Sequence, residues 1–176
     1  MTPPKIILIT GTPGSGKTTV AEALCARLEK SAHVPVDFFR KMIKSGYASP
    51  HRWSAEVERQ YSLARKNAAS AASNIARAGF TAVIDDIVHQ AWLQEWRDNL
   101  HGFDLHFVLL QPHLDTAKQR NTTREIWTVD ETIIEQLHSS FSANNTPDAG
   151  WIIVDNTDQT VEETVTEILS KLYLIP

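Results

Sequence analysis

Residues 11–18 read Gly-Thr-Pro-Gly-Ser-Gly-Lys-Thr, an octapeptide with the pattern G-x-x-x-x-G-K-[ST]. Glycines at these positions let the backbone turn tightly and bring several N–H groups onto one anion. The lysine of such a loop reaches the terminal phosphates of a nucleotide, and the following hydroxyl can ligate Mg²⁺. The octapeptide therefore predicts a phosphate-binding loop between a buried strand and a helix.

The residues that flank the octapeptide fit this placement. Lys5-Ile-Ile-Leu-Ile9 is a short apolar run that is typical of a buried parallel strand. Val20, Leu24 and Leu28 recur at helical spacing, and the positive end of that helix would point at the same anion. We therefore expect a bound nucleoside triphosphate. The residues predicted to contact it are Gly11, Thr12, Pro13, Gly14, Ser15, Gly16, Lys17, Thr18 and Thr19.

The rest of the chain alternates apolar runs with helical patterns, which indicates βαβ units and an α/β fold with a parallel sheet. The predicted strands are residues 5–10, 33–37, 81–85, 105–110 and 151–154. Pro35 lacks the N–H that a strand donates, so the second strand is predicted at an edge of the sheet. The length of 176 residues suits one domain, residues 1–176.

Several helices carry recognisable end signals. Ser54 is a suitable N-cap for a long helix, and Gly79 is a suitable residue to end it. Thr160-Val-Glu-Glu163 has the pattern of a capping box at the start of the last helix. Trp92 and Trp96 are four residues apart and are predicted to share one face of a shorter helix.

The predicted third strand ends in two carboxylates, Asp85 and Asp86. Ligands of an open parallel sheet bind beyond the carboxyl ends of its strands, so both acids belong at the binding edge. Successive strand residues point to opposite sides, which predicts different tasks for the two acids. We assign Asp85 to Mg²⁺, opposite the Thr18 hydroxyl, and Asp86 to the substrate. The reverse assignment and a capping role for Asp86 stay open.

Asp37 ends the predicted second strand and precedes residues 38–53, a segment that mixes basic, aromatic and turn residues. A hydroxyl that attacks a γ-phosphate needs a carboxylate close to its oxygen, so Asp37 is a candidate base and substrate contact. Arg40 and Lys41 are predicted on the first turn of a following helix, where Arg40 could contact an anionic substrate. Residues 38–53 are thus the predicted acceptor region. A turn or cap role for Asp37 and a solvated face for the two cations are the alternatives.

Arg120 and Arg124 lie four residues apart in a second polar segment, residues 118–130. If a helix persists there, both guanidinium groups share one of its faces. Above a triphosphate they would stabilise charge on the transferred phosphoryl group, and one could stack on the base. Residues 118–130 are therefore a predicted lid with two catalytic arginines, and ordinary surface arginines are the alternative.

Composition limits the remaining classes of protein. The formal net charge is −4, which disfavours a broad face for nucleic acid. The single cysteine, Cys25, excludes an internal disulfide framework. The sequence shows no secretory signal pattern and no apolar stretch as long as a membrane span. We expect a cytoplasmic enzyme with a small-molecule partner, and the oligomeric state stays open.

Together these features resemble the small P-loop kinases of the adenylate kinase and shikimate kinase group. Within it the chain looks most like the chloramphenicol phosphotransferase family, through Val36-Asp37 after a short second strand and through Arg77-Ala-Gly-Phe-Thr-Ala-Val-Ile-Asp-Asp86. The resemblance implies a five-stranded parallel sheet of order 2-3-1-4-5, a mobile lid, and transfer of phosphate from ATP with Mg²⁺ to a hydroxyl. It also implies that Asp37 is the base and that Arg120 and Arg124 are lid arginines.

The function expected from the sequence is an ATP-dependent transfer of the γ-phosphate to a hydroxyl of a small molecule, with Lys17 as a catalytic contact to the phosphates. A polynucleotide 5′-hydroxyl kinase and a nucleotide-binding sensor without turnover are the alternatives. A switch GTPase is disfavoured, because Asp155-Asn-Thr-Asp158 lacks the lysine of a guanine-reading Asn-Lys-x-Asp segment. The acceptor is not readable, since residues 38–53 match no acceptor-specific pattern.

Overall fold

Five parallel strands form one sheet in the computed structural model, which describes residues 5–50, 52–123, 128–144, 147 and 150–174. The strands are β1 Lys5–Gly11, β2 Ser31–Pro35, β3 Thr81–Asp85, β4 Asp104–Leu110 and β5 Trp151–Val154. Their order across the sheet is β2-β3-β1-β4-β5, and each pairing is parallel. The predicted α/β class, the strand order 2-3-1-4-5 and the edge position of β2 are confirmed.

Helices connect the strands and flank the sheet. They are α1 Lys17–Arg27, α2 Val36–Lys41, α3 Ala55–Arg77, α4 Leu93–Asn99, α5 Leu114–Thr122, α6 Glu131–Asn144 and α7 Val161–Leu174, with a 3₁₀ turn at Gln90–Trp92. The Ser54 hydroxyl accepts from the Val57 N–H over 3.3 Å, which caps α3 as predicted. Thr160 and Glu163 exchange hydrogen bonds between side chain and backbone, which confirms the capping box before α7.

The side chains of β1 show how the core is divided between the two faces of the sheet. They alternate in direction, and the four residues from Ile6 to Ile9 are fully buried. Ile6 and Leu8 pack in one cluster with the alanine-rich face of α3 and with α4 and α6. Ile7 and Ile9 pack in a second cluster with α1 and α7. The sheet is thus the middle of three layers, which explains why β1 is apolar on both faces.

The second strand lies two residues earlier than predicted, at Ser31–Pro35 instead of residues 33–37. Pro35 lies opposite Asp85, the last residue of β3, so β2 has no partner beyond that point. The chain turns into α2 at Val36, which moves Asp37 from a strand end into the first turn of a helix. For the same reason Arg40 lies in the last turn of α2, not in the first turn as predicted.

Trp92 and Trp96 have different environments, and the single helix predicted for them is a 3₁₀ turn followed by α4. Trp92 ends the 3₁₀ turn and is half-buried. Trp96 lies in α4 and is fully buried in the core. One tryptophan therefore belongs to the core, and the other remains partly open beside α3.

The segment after β3 is fastened to the end of β1. The Asp86 N–H donates to the Ile9 carbonyl over 3.1 Å, and the Val88 N–H donates to the buried Thr10 hydroxyl over 2.9 Å. These bonds hold the acidic end of β3 beside the glycine-rich loop. Within the described ranges, no helix combines the length and the apolar character needed to cross a membrane.

Candidate active site

The loop after β1 has the conformation that its glycines predict. Gly14 and Gly16 have φ values of +83° and +87°, in the left-handed region that favours glycine. The Ser15 N–H donates to the Thr12 carbonyl over 3.0 Å and closes a tight turn. Lys17 is buried, and its Nζ lies 3.5 Å from the same carbonyl oxygen. The Thr12 carbonyl thus holds the lysine ammonium at the loop, where it can reach a bound phosphate.

Two distant parts of the chain hold the loop in place. A Cβ on Gly14 would lie 2.0 Å from the Ala117 carbonyl oxygen, so α5 packs directly on the loop backbone. The buried Asn156 side chain, just after β5, donates to the Ser15 carbonyl over 2.9 Å. The hydroxyls of Thr12 and Ser15 are buried without a hydrogen-bond partner. A preformed loop with unpartnered hydroxyls fits a ligand that carries phosphate groups.

Thr18 and Asp85 meet at the mouth of the loop. The Thr18 hydroxyl donates to Asp85 Oδ2 over 2.7 Å. Burial raises the pKa of the Asp85 carboxyl, but the hydrogen bonds from His33 and Thr18 outweigh this effect, so the pKa lies below its usual value. A charged carboxylate beside a hydroxyl is an oxygen donor set that Mg²⁺ takes together with phosphate oxygens and water. The two residues therefore fit the metal assigned to them.

The other loop residues that are predicted to contact the nucleotide differ in exposure. Gly11 and Pro13 are buried, whereas Thr18 and Thr19 are exposed at the start of α1. Among the residues that the structure describes, no group of three or more His, Cys, Asp or Glu side chains could hold a metal ion. Mg²⁺ at Thr18 and Asp85 would therefore depend on the phosphates of the nucleotide.

His33 is a part of the site that the sequence did not predict. Its Nε2 lies 2.7 Å from Asp85 Oδ1, so both carboxylate oxygens have a partner. His33 pairs with Val83 in the register of β2 and β3, which places its side chain on the face that Asp85 also shares. That His33 and Asp85 share a face can be predicted only when β2 is known to lie beside β3. The spacing of histidines along the sequence does not indicate it.

Asp86 and Asp37 are the two carboxyls that the sequence predicts on the acceptor side. Asp86 is buried, and its Oδ2 has no hydrogen-bond partner. Burial, and then the negative charge of Asp37, raise the pKa of Asp86 to about 8. Asp37 is exposed in the first turn of α2. One of these two predicted substrate residues is therefore buried, and the other is open to solvent.

Arg40 is buried beneath residues 42–50 of the predicted acceptor region and is not on its surface. It is 3% exposed, and its Nη2 donates to the Ala48 carbonyl. Its guanidinium carbon lies 4.0 Å from the centroid of the Tyr61 ring. The Ala48 N–H donates in turn to the Gln60 side chain over 2.9 Å. Arg40 and Gln60 thus fasten residues 42–50 to α2 and α3, and a direct contact of Arg40 with the substrate stays a prediction.

Arg120 binds the segment that follows β5. Its Nη2 donates to the carbonyls of Asn156 and Thr157 over 3.0 and 3.1 Å. Because the Asn156 side chain holds the phosphate-binding loop, this arginine borders the same edge of the sheet. Its predicted contact with a transferred phosphoryl group stays a prediction.

The predicted lid, residues 118–130, is described only towards its two ends. The Asn121 side chain donates to the Val129 carbonyl over 2.9 Å and accepts from the Val129 N–H over 3.2 Å, which joins these ends. The Asn121 backbone nitrogen lies 3.2 Å from the place of a Gly14 Cβ, so this part of α5 rests on the loop. Arg124 lies outside the described residues.

A glycine-rich phosphate loop, a carboxylate at the end of the adjacent strand and a 2-3-1-4-5 parallel sheet define a P-loop protein with the fold of the small kinases. Residues 6–143 match the protein family described as AAA domain. The chain therefore belongs to this family. No curated protein sequence matches the chain significantly.

Several solved structures have the same fold. The tunicamycin resistance protein of Deinococcus radiodurans is 17% identical with a TM-score of 0.72, and the match covers 96% of this chain and 95% of that one. A sugar kinase from Janibacter is 19% identical with a TM-score of 0.70, with coverages of 99% and 97%. A gluconokinase from Sinorhizobium meliloti is 19% identical with a TM-score of 0.62, with coverages of 99% and 95%. At these identities the likeness shows the fold.

The contact between Gly14 and α5 predicts different effects at two glycines. Gly14 and Gly79 have φ values of +83° and +87°, but a Cβ on Gly79 would meet nothing within 4 Å. Gly79→Ala should cost about 1–2 kcal/mol of unfolding free energy for the left-handed backbone alone. Gly14→Ala adds a clash with a backbone carbonyl, so we expect about 2 kcal/mol more and loss of nucleotide binding. Urea denaturation and nucleotide titration measure both effects, and equal losses would contradict the clamp on the loop.

Proposed function

We propose that the chain is an ATP-dependent phosphotransferase that moves the γ-phosphate of ATP to a hydroxyl group of a small molecule. The observation that carries the proposal is the hydrogen bond between Thr18 and Asp85 at the mouth of the loop. It joins a phosphate-binding loop to a carboxylate of the adjacent strand. The interacting carboxyls of Asp86 and Asp37 follow on the acceptor side. Donor and acceptor halves in one site favour group transfer over binding alone.

In the donor half, the loop amides and Lys17 hold the terminal phosphates of ATP. Thr18 and Asp85, together with phosphate oxygens, would hold Mg²⁺. The ion would neutralise part of the negative charge of the triphosphate. His33 fixes the orientation of Asp85 through its hydrogen bond to Oδ1. Arg120 stabilises charge on the transferred group, and the resemblance extends this role to Arg124.

In the acceptor half, Asp37 is the proposed base. Its carboxylate accepts the proton of the substrate hydroxyl as that oxygen attacks the γ-phosphorus. The bond between the γ-phosphorus and the bridging oxygen breaks, and ADP leaves with the electron pair. Asp86 is buried, and the charge of Asp37 acts on it. We propose that Asp86 forms part of the substrate pocket, while Asp37 takes the proton.

The names of proteins with the same fold support a small acceptor. They include a sugar kinase and a gluconokinase. A thymidylate kinase from Candida albicans also has this fold, with a TM-score of 0.68. These names point to unlike acceptors. The shared fold therefore supports the nucleotide donor, and we propose that residues 38–53 and their neighbours select the acceptor.

Asp37→Asn tests the role of the proposed base separately from the binding of ATP. We expect phosphate transfer to fall at least about a hundredfold, because the general base is lost, while ATP affinity stays within about threefold of wild type. ADP release across a panel of hydroxyl compounds and ATP titration measure the two quantities. Asp98→Asn is the matched control, since Asp98 is an exposed acid near the end of α4. Unchanged transfer in Asp37→Asn would reject the assignment.

The Thr18–Asp85 pair predicts the metal requirement. Removal of Mg²⁺ with EDTA should abolish transfer. Asp85→Asn should raise the Mg²⁺ concentration for half-maximal rate at least about tenfold, and His33→Ala should raise it by a smaller factor because one support of the carboxylate is lost. A Mg²⁺ titration of the rate measures this in each variant. If the Mg²⁺ concentration for half-maximal rate is the same in Asp85→Asn and wild type, Asp85 does not hold the metal.

A further inference from the structure

Asn156 is a buried amide to which the proposed reaction gives no task. It lies two residues after the end of β5 and is 4% exposed. Its Nδ2 donates to the Ser15 carbonyl over 2.9 Å. An amide oxygen would be repelled by that carbonyl oxygen, so the Nδ2 end of the amide must face the loop. The other end, Oδ1, is buried, and no residue that the structure describes donates a hydrogen bond to it.

The balance of hydrogen bonds indicates that Asn156 does more than stabilise the fold. The bond to Ser15 satisfies one end of the amide, but the burial of the other end without a partner costs free energy. These two contributions oppose each other, so the net gain in stability is small. What the amide does supply is a fixed direction for the Ser15 carbonyl, inside the phosphate-binding loop.

Both backbone groups of Ser15 are turned into the protein. Its N–H donates to the Thr12 carbonyl over 3.0 Å, and its carbonyl accepts from Asn156. The described residues contain no cis peptide bond, so the Gly16 N–H points opposite to the Ser15 carbonyl. The Gly16 N–H is therefore directed away from Asn156, and the bond from Asn156 fixes its orientation.

The backbone around Ser15 has the form of an anion-binding concavity. Gly14 and Gly16 have positive φ values, and no non-glycine residue of the described ranges has one, so φ changes sign at each step from 14 to 16. This alternation directs successive N–H groups to one side of the backbone, where they can bind an anion together. A rotation of the peptide between Ser15 and Gly16 would turn one N–H out of this group. The hydrogen bond from Asn156 opposes that rotation.

Helix α5 fixes the backbone that carries the Asn156 amide. The Nη2 atom of Arg120, in the last turn of α5, donates to the carbonyls of Asn156 and Thr157 over 3.0 and 3.1 Å. At the other end of α5, the His113 N–H donates to the Thr157 hydroxyl over 2.8 Å. Residues 156 and 157 are thus held from both ends of one helix, which gives the amide a defined position.

We propose that Asn156 is a positioning residue for the triphosphate, because its amide holds the Ser15 carbonyl so that the Gly16 N–H points at a bound phosphate group. Arg120 and His113 set the position of that amide. An effect of Asn156 on phosphate transfer rests on the proposed function. Its effect on phosphate binding does not, because the loop can bind phosphate whether or not an acceptor follows.

Calorimetric titrations with Mg²⁺ and two probes test this role. The probes are a non-hydrolysable ATP analogue and tripolyphosphate, which has neither base nor ribose. Asn156→Ala should weaken the binding of both probes by the same factor, at least about fivefold, because a backbone contact to phosphate is misdirected in both complexes. A contact between Asn156 and the base would weaken the ATP analogue alone.

Two further variants separate the position of the loop from the stability of the fold. Asn156→Leu keeps nearly the same volume and removes the orphaned oxygen, so it should melt at or above the temperature of Asn156→Ala and still lose the same affinity for tripolyphosphate. Thr164→Val is the matched control. Thr164 is a buried hydroxyl of α7 that donates to the Gln159 side chain and the Thr160 carbonyl, outside the loop. This variant should keep both affinities within about twofold of wild type.

The Gly16 amide proton gives a direct signature of the proposed orientation. In ¹⁵N-labelled wild type it should move downfield when tripolyphosphate binds, because a charge-assisted hydrogen bond forms. In Asn156→Ala saturated with tripolyphosphate, the movement should be less than about half as large. A movement of equal size in both proteins would contradict the proposed orientation.

The outcomes distinguish this inference from the proposed function. Equal affinity of wild type and Asn156→Ala for tripolyphosphate, no binding of tripolyphosphate to the wild type, or recovery of the affinity in Asn156→Leu would overturn the inference. Weaker binding of the ATP analogue alone would also overturn it. ADP release with a hydroxyl compound would in each case still support a kinase. Tripolyphosphate binding that depends on Asn156, without ADP release from ATP and any acceptor, would support the positioning role and count against the proposed function.

Discussion

Thr18 and Asp85 are 67 residues apart in the sequence, yet a hydrogen bond of 2.7 Å joins them. The adjacency of β1 and β3 makes this possible, because Ile9 lies opposite Asp85 and both strands end at the same edge. A carboxylate this deeply buried is costly without partners. Thr18 and His33 supply one partner to each oxygen, so the sheet can keep a charged group at the end of an otherwise apolar strand. The glycine loop and the candidate metal site meet at this contact, and Asp86 follows Asp85 directly in the chain.

Much of the fold is predictable from the sequence because its signals are local. The left-handed glycines of the loop, Ser54 as a cap and Thr160 with Glu163 act within a few residues, and the structure confirms each of them. Pro35 is also a local signal, since the missing N–H restricts β2 to an edge wherever the other strands lie. The strand order follows from the resemblance to small P-loop kinases, and the structure confirms that order.

The region proposed for the acceptor, and His33 beside the candidate metal site, are less predictable because their contacts join distant residues. Asp37 lies in a helix because β3 ends opposite Pro35, which the sequence of β2 alone does not show. Arg40 and Arg65 look like surface residues, but aromatic rings and carboxylates from other elements bury them. His33 likewise gains its meaning only from the register with β3. These positions depend on tertiary partners, and local patterns carry no information about partners so far away.

Local signals thus form the glycine loop and the helix caps, whereas contacts between distant residues hold that loop against α5 and bring Thr18 to Asp85. The central claim about function is that the loop from Gly11 to Thr18 holds a triphosphate through Lys17. Calorimetric titration with a non-hydrolysable ATP analogue and Mg²⁺ tests this claim most directly. We predict one site per chain in the wild type and at least about tenfold weaker binding in Lys17→Ala, because charge-assisted contacts to the phosphates are lost. Absence of binding in the wild type, or equal affinity in both proteins, would contradict the claim.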